Sequence, residues 1–94
     1  MLEVEFARLA QSELELAGAY YTPLSEGLER AFYREIALCV QLIRTDPEAF
    51  PALTMRIRKI STKRFPYILL YAVSGEKVVV LRLVHNRSDP ESWT

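Results

Sequence analysis

By residue type, the group in this 94-residue chain best suited to move a proton at neutral pH is its single histidine, His85. Imidazole titrates in the physiological range, so His85 reads as a candidate base, or equally as a structural histidine bonded to backbone at a strand end. Arg87, two positions on, can grip a phosphate or carboxylate through two parallel hydrogen bonds, or pair with Asp89. Five cations then crowd into nine residues: Arg56, Arg58, Lys59, Lys63 and Arg64. Such a run attracts an acidic surface or a phosphate backbone. It is also what a solvated sheet edge carries to discourage aggregation.

Other side chains have less chemistry to offer. The lone cysteine, Cys39, cannot form an intramolecular disulfide, and its position on a helical stripe reads as a small buried hydrophobe. No second Cys or His lies near enough to suggest a metal site, and nothing in the pattern calls for a cofactor. Tyr20, Tyr21, Tyr67 and Tyr71 read as core or interface residues, because unperturbed tyrosine titrates about three units above neutrality. Trp93 reads as a hydrophobic clasp for the C-terminal tail, although a base could stack on it.

The net charge of zero hides a polarity along the chain. Residues 1–53 hold nine acidic and four basic side chains, a net −5, and residues 54–94 hold three acidic and eight basic, a net +5. No apolar run is long enough to span a bilayer, and "MLEVEF" is acidic where a signal peptide is basic, so the expected location is cytoplasmic. Length and composition suit one domain, residues 1–94.

The elements that must position these groups follow from periodicity. "LEVEF" (2–6) alternates as a strand with one buried face. Ala10, Leu14, Ala17 and Tyr21 form a helical stripe, with Gly18 either a weak point or a site of close approach. Thr22-Pro23 ends that helix. Ser25 suits the N-cap of a second helix with Glu26 in its first turn and a Glu26–Arg30 pair. Leu28, Phe32, Ile36, Cys39, Val40 and Ile43 make its stripe, and Asp46-Pro47 stops it. Three strands are expected at 55–60, 67–73 and 78–84. Lys59 and Ile60 break the alternation of the first, which suggests a bulge or its end. Ser74-Gly75-Glu76-Lys77 turns between the last two. The order is β-α-α-β-β-β: an α+β domain with a helical hairpin packed on a mostly antiparallel four-stranded sheet. Segment 67–73 is apolar on both faces, and so is 78–84 apart from Arg82: either the sheet is strongly coiled and both faces find partners inside the domain, or one face awaits another chain.

Taken in order, "VEF", "AYY", "LSEGLERAFYREI", "DPEAFPAL", "RKISTKRFPYILLYAV" and "VVVLRLVHNRSDPESW" cover nearly the whole chain. Together they resemble the ParE/RelE toxin superfamily, and within it the ParE-like, plasmid-stabilisation branch of type II toxin–antitoxin toxins. The most specific residues are Phe65-Pro66-Tyr67 leading into Tyr71, then His85, Arg87, Asp89, Pro90 and Trp93. The resemblance implies a RelE/ParE-like fold and a poison neutralised by a cognate antitoxin, whose C-terminal segment lays helix and strand against the toxin. The apolar hairpin would then be partly landing surface, with Arg56, Arg58, Lys59, Lys63, Arg64, Arg87 and Trp93 as the contact residues for partner or target.

Two activities occur among such proteins. ParE-like members block DNA gyrase, and RelE-like members cut messenger RNA in the ribosome. Cleavage through the 2′-hydroxyl needs a proton acceptor, a proton donor and cations for the crowded phosphate. RelE-like sequences carry an arginine directly after the tyrosine that opens the third strand, and an aromatic hydroxyl near the C-terminus. Here those positions hold Ile68 and Trp93, which can do neither job. Arg58, Lys59, His85 and Arg87 are the residues a nuclease would have to use. The resemblance therefore favours a binding-type gyrase poison, with a ribosome-dependent mRNA endonuclease as the alternative and a non-toxic interaction module as a third reading.

Overall fold

The computed structural model describes residues 2–93. Strand β1 (Glu3–Phe6) leads into α1 (Arg8–Tyr21) and α2 (Leu28–Thr45), and a short 3-10 turn (Pro47–Ala49) follows. Then come β2 (Arg58–Ser61), β3 (Tyr67–Ser74), β4 (Lys77–His85) and a second 3-10 turn (Pro90–Ser92). The sheet order is β1-β4-β3-β2. β2, β3 and β4 are antiparallel neighbours, and β1 runs parallel to β4 through Glu3↔Lys77 to Phe6↔Val80. The sheet is thus mixed, with the N-terminal strand as its one parallel member.

The expected helical stripes face the sheet. Ala10, Leu14, Ala17 and Tyr21 of α1 and Phe32, Ile36, Cys39 and Ile43 of α2 are buried against Ile60, Leu69, Tyr71, Val78, Val80 and Leu83. Gly18 is a point of close approach: the Tyr33 ring occupies the space a Cβ there would need.

Three local expectations are corrected. α2 begins at Leu28, not after Ser25: Gly27, at φ +90°, turns the chain in a conformation that side chains disfavour, and the Ser25 hydroxyl donates to the Glu26 carbonyl instead of capping. Glu26 therefore lies outside the helix, and the two ion pairs among the described residues are Glu5–Lys77 and Glu13–Arg82. β2 begins at Arg58, because the Thr54 hydroxyl accepts the N–H groups of Arg56 (3.2 Å) and Ile57 (3.1 Å) and holds residues 54–57 in a local turn. Met55 is left fully exposed. Lastly, β2 is regular through Ser61, and the irregularity lies in β4, where Leu70 pairs with Arg82 but Tyr71 with Val80. Leu81 is the extra residue, as in a bulge.

The doubly apolar hairpin finds partners on both sides within the chain. The helix-side face belongs to the core above. On the opposite face Ile68, Leu70 and Val84 are buried under Trp93, with Leu53 and Ile57 packed against them. The only exposed large hydrophobic residue on β3 or β4 is Val73, so the expectation of an open landing surface on the hairpin is overturned. Period-two alternation supplies two buried faces, and the C-terminal tail covers the second. The apolar surface left to solvent is instead carried mainly by the helices, at Leu9, Leu16, Tyr20, Leu38 and Leu42. At the hairpin tip Gly75, φ +63°, takes the positive-φ position of a two-residue turn.

Candidate partner-binding surface

The run of cations does not form one patch, because the strand alternates. Arg58 pairs with Tyr71, which faces the helices, whereas Lys59 pairs with Leu70, which faces the tail. Arg58 donates through Nη1 to the carbonyls of Phe50 (2.7 Å) and Glu48 (3.3 Å), so it pins the segment before β2 while keeping its charge. Tyr71 donates from its hydroxyl to the Pro47 carbonyl at 2.5 Å. Burial raises the Tyr71 pKa, Arg58 lowers it and Asp46 raises it, leaving it above the ordinary phenol value. Arg56 is exposed and lines the same open cleft as Arg58 and Tyr71, about 510 Å³ in volume.

Lys63 and Arg64 sit on the β2–β3 loop. The Thr62 hydroxyl closes that loop, donating to the Phe65 carbonyl (2.5 Å) and accepting the Tyr67 N–H (3.2 Å). Glu35 of α2 holds the loop from the other side: its Oε1 accepts the backbone N–H of Lys63 and that of Arg64 (2.8 Å). The two side chains are left exposed, with the Arg64 guanidinium 5.7 Å from the centre of the Phe65 ring.

His85 ends β4 opposite Tyr67, its ring edge-on to the phenol ring at 5.7 Å. Its Nδ1 accepts the Arg87 N–H (3.1 Å), the backbone-bonded role open to a strand-end histidine. His85 lines a cleft of about 490 Å³ with Tyr20, Tyr21, Leu24, Pro66 and Tyr67. Burial, with Tyr67 beside it, pushes the Tyr21 phenol up to about 12, so it stays neutral. Arg87 is exposed just beyond.

The register separates Arg58 and Lys59 from His85, next to which Arg87 lies. Arg58 lies level with Tyr71, in the middle of β3, and His85 level with Tyr67 at its start, roughly 13 Å apart along the strand. Lys59 points to the face opposite Arg58. No proton donor, acceptor and pair of cations converge among these residues.

Trp93 is buried, and a contact absent from the sequence reading holds it there. Arg82 meets the Glu13 carboxylate through Nε–Oε1 (3.1 Å) and Nη2–Oε2 (2.8 Å), and its Nη1 donates to the Trp93 carbonyl at 3.1 Å. The hydrogen bond to Glu13 is the main cause that raises the Arg82 pKa. The Trp93 indole N–H donates to the Ser88 hydroxyl at 2.7 Å. The signal was visible in the sequence: Arg82 is the lone charge inside an apolar strand. Its partner, 69 positions away on α1, could not be read from spacing.

Two helices on one face of a four-stranded mixed sheet, with a tail clasped over the other, define a small α+β fold seen in toxins of paired toxin–antitoxin systems. The chain belongs to the family described as ParE toxin of type II toxin-antitoxin system, parDE, whose model matches residues 4–90. Among solved structures it is similar to a chain of "Chromosomal ParDE TA system from P. aeruginosa", with a TM-score of 0.72 at 20% sequence identity, over 90% of this chain and 96% of that one. At that identity the likeness speaks for the fold. No curated protein matches the chain. Among the described residues, no helix is long and apolar enough to cross a membrane.

Proposed function

We propose that this ParE-type toxin acts in the cytoplasm by binding rather than by catalysis, that its target is DNA gyrase, and that a cognate antitoxin neutralises it. The observation that carries the reading is Ile68. It occupies the position where RNA-cleaving relatives carry an arginine, and it is 7% exposed beneath Trp93 beside Leu70 and Val84. A side chain there can neither transfer a proton nor meet a phosphate, and the surrounding face is sealed with apolar groups. The separation of Arg58 and Lys59 from His85 and Arg87 supports the same reading.

The exposed cations Arg56, Lys63, Arg64 and Arg87, with Arg58 and Lys59 half-buried on β2, supply electrostatic attraction for acidic partner surfaces and speed encounter more than they deepen affinity. Trp93 contributes by shaping the tail, since little of its ring is open to a partner. Induced expression in a bacterial host tests the reading. DNA breaks, filamentation and an SOS response support it. Immediate arrest of translation with cuts in ribosome-bound message favours the nuclease, and unimpaired growth favours a non-toxic interaction module.

A further inference from the structure

Among the described residues, the most exposed large apolar side chain is Met55, in the turn that precedes β2. That turn is closed by its own hydrogen bonds. The Thr54 hydroxyl accepts the Arg56 and Ile57 N–H groups, and the Ile57 carbonyl accepts those of Leu53 (2.7 Å) and Thr54 (3.1 Å). Its two feet, Leu53 and Ile57, pack against the buried cluster of Ile68, Leu70, Val84 and Trp93. Just outside it, Ala52 bridges Arg58 and the Lys59 N–H donates to the Pro51 carbonyl (3.0 Å). A singly exposed apolar residue is ordinary. One held at the tip of a turn fixed at both feet is different, because little conformational freedom remains to be lost when it binds.

Beside the turn lies the open cleft of about 510 Å³, lined by Met55, Arg56 and Arg58 and by Ala72, Val73 and Ser74 of β3. Val73, the exposed large hydrophobic of the hairpin strands, therefore faces the same space as Met55. The Arg58 guanidinium is fixed by the Phe50 and Glu48 carbonyls, and neither ion pair of the described residues involves Arg56 or Arg58. Glu48 is the single acid at the cleft, against two arginines. A projecting apolar tip thus stands over a recess with an excess of positive charge.

We propose that the Met55 turn and this cleft form the surface with which the toxin grips its target: Met55 enters an apolar socket in a folded protein, and a carboxylate beside that socket meets Arg56 and Arg58. The inference rests on the reading of a toxin that acts by binding and deepens it by naming the contact. The occupant is a folded surface, not an unfolded segment. The turn projects and its main-chain groups are already paired, so it offers neither a groove to a helix nor a rung to a strand. The occupant is protein, not nucleic acid. A thioether at the tip offers nothing to a phosphate backbone, whereas an unbranched, polarizable side chain adapts well to an apolar pocket. Substitutions in the turn therefore separate poisoning from neutralisation.

The test measures inhibition of gyrase supercoiling, binding to the co-expressed antitoxin and thermal unfolding on the same full-chain preparations. Met55→Glu, at a fully exposed position, leaves the unfolding midpoint unaltered and antitoxin binding within about twofold, and it raises the concentration for half-inhibition by roughly tenfold or more. Arg56→Glu weakens inhibition and makes it less sensitive to salt. Thr54 is a positioning residue: Thr54→Ala weakens inhibition with Met55 still in place, and Thr54→Ser, which keeps the hydroxyl, restores it. If Met55→Glu and Arg56→Glu inhibit as well as the wild-type chain, the inference is overturned and the binding reading stands. Equal loss of antitoxin and gyrase binding also overturns it, as does normal inhibition with weakened binding to duplex DNA, the mark of a phosphate site. If the wild-type chain leaves gyrase unimpeded, the gyrase reading itself falls, and the inference falls with it.

Discussion

Glu13 on α1 replaces a missing strand for Arg82 on β4. β1 ends at Phe6, opposite Val80, and leaves the outer edge of β4 open beyond that point. The Glu13 carboxylate fills the gap: it grips the Arg82 guanidinium in a fork and accepts the Leu83 N–H at 2.9 Å. Arg82 in turn holds the tail through the Ser92 and Trp93 carbonyls. One ion pair thereby ties α1, the sheet edge and the C-terminal segment together.

Glu13→Ala is expected to lower stability by about 2 kcal/mol, the scale for a charged hydrogen-bond partner lost beside a backbone N–H, discounted because both side chains keep some contact with water. Tail protection should fall with it. Chemical denaturation and hydrogen exchange at Trp93 measure both, and a change confined to α1 would contradict the tie.

Gly18→Ala should destabilise in spite of alanine's higher helix propensity, because the new methyl meets the Tyr33 ring. In a Tyr33→Ala background the same change should stabilise by about 1 kcal/mol, the ordinary propensity gain. The reversal of sign in a double-mutant cycle is the diagnostic, and the same sign in both backgrounds would remove steric contact as the reason for the glycine.

Ile68→Arg introduces the arginine that RelE-like sequences carry at this point, yet it buries that charge beneath Trp93 among Leu70 and Val84. A loss of several kcal/mol is expected, by the cost of an unpaired buried charge. Ribosome-dependent cleavage should not appear, since the other acid–base groups are not in reach. Urea unfolding and a cleavage assay on the same preparation check the two halves separately.

Stability should fall at alkaline pH. The folded Tyr21 phenol titrates near 12 and its unfolded counterpart near 10, so the unfolded chain ionises first and folding loses ground as pH rises from about 10 to 12. Below pH 10 both states are protonated, and this contribution is fully present. Cys39, raised to about 11, adds a similar decline that starts near 9. Tyr21→Phe should make the upper part of the decline shallower, as read from unfolding midpoints across that range.

The elements most legible in the sequence were those with long periodic stripes. α1 and α2 were read from Ala10–Tyr21 and Leu28–Ile43, and β3 and β4 from their apolar runs, because core faces impose 3.6 and 2.0 periods. Short-range chemistry was harder to weigh. Gly27 displaced Ser25 from the start of α2, and the Thr54 hydroxyl turned residues 54–57 out of β2. The site was legible by residue type and not by placement. Five neighbouring cations suggested one patch, but alternation and the Thr62 loop distribute them over two faces and a loop. Glu13 and Arg82 meet only because the chain folds back across 69 positions, and no local pattern records that.

We propose that this toxin poisons by binding, without breaking a phosphodiester bond. The most direct measurement runs the purified chain in a gyrase supercoiling assay beside a ribosome-programmed RNA cleavage assay. Inhibition of supercoiling, relieved by the antitoxin, is expected, with intact message on the ribosome. Message cut on the ribosome while gyrase works unimpeded would contradict it.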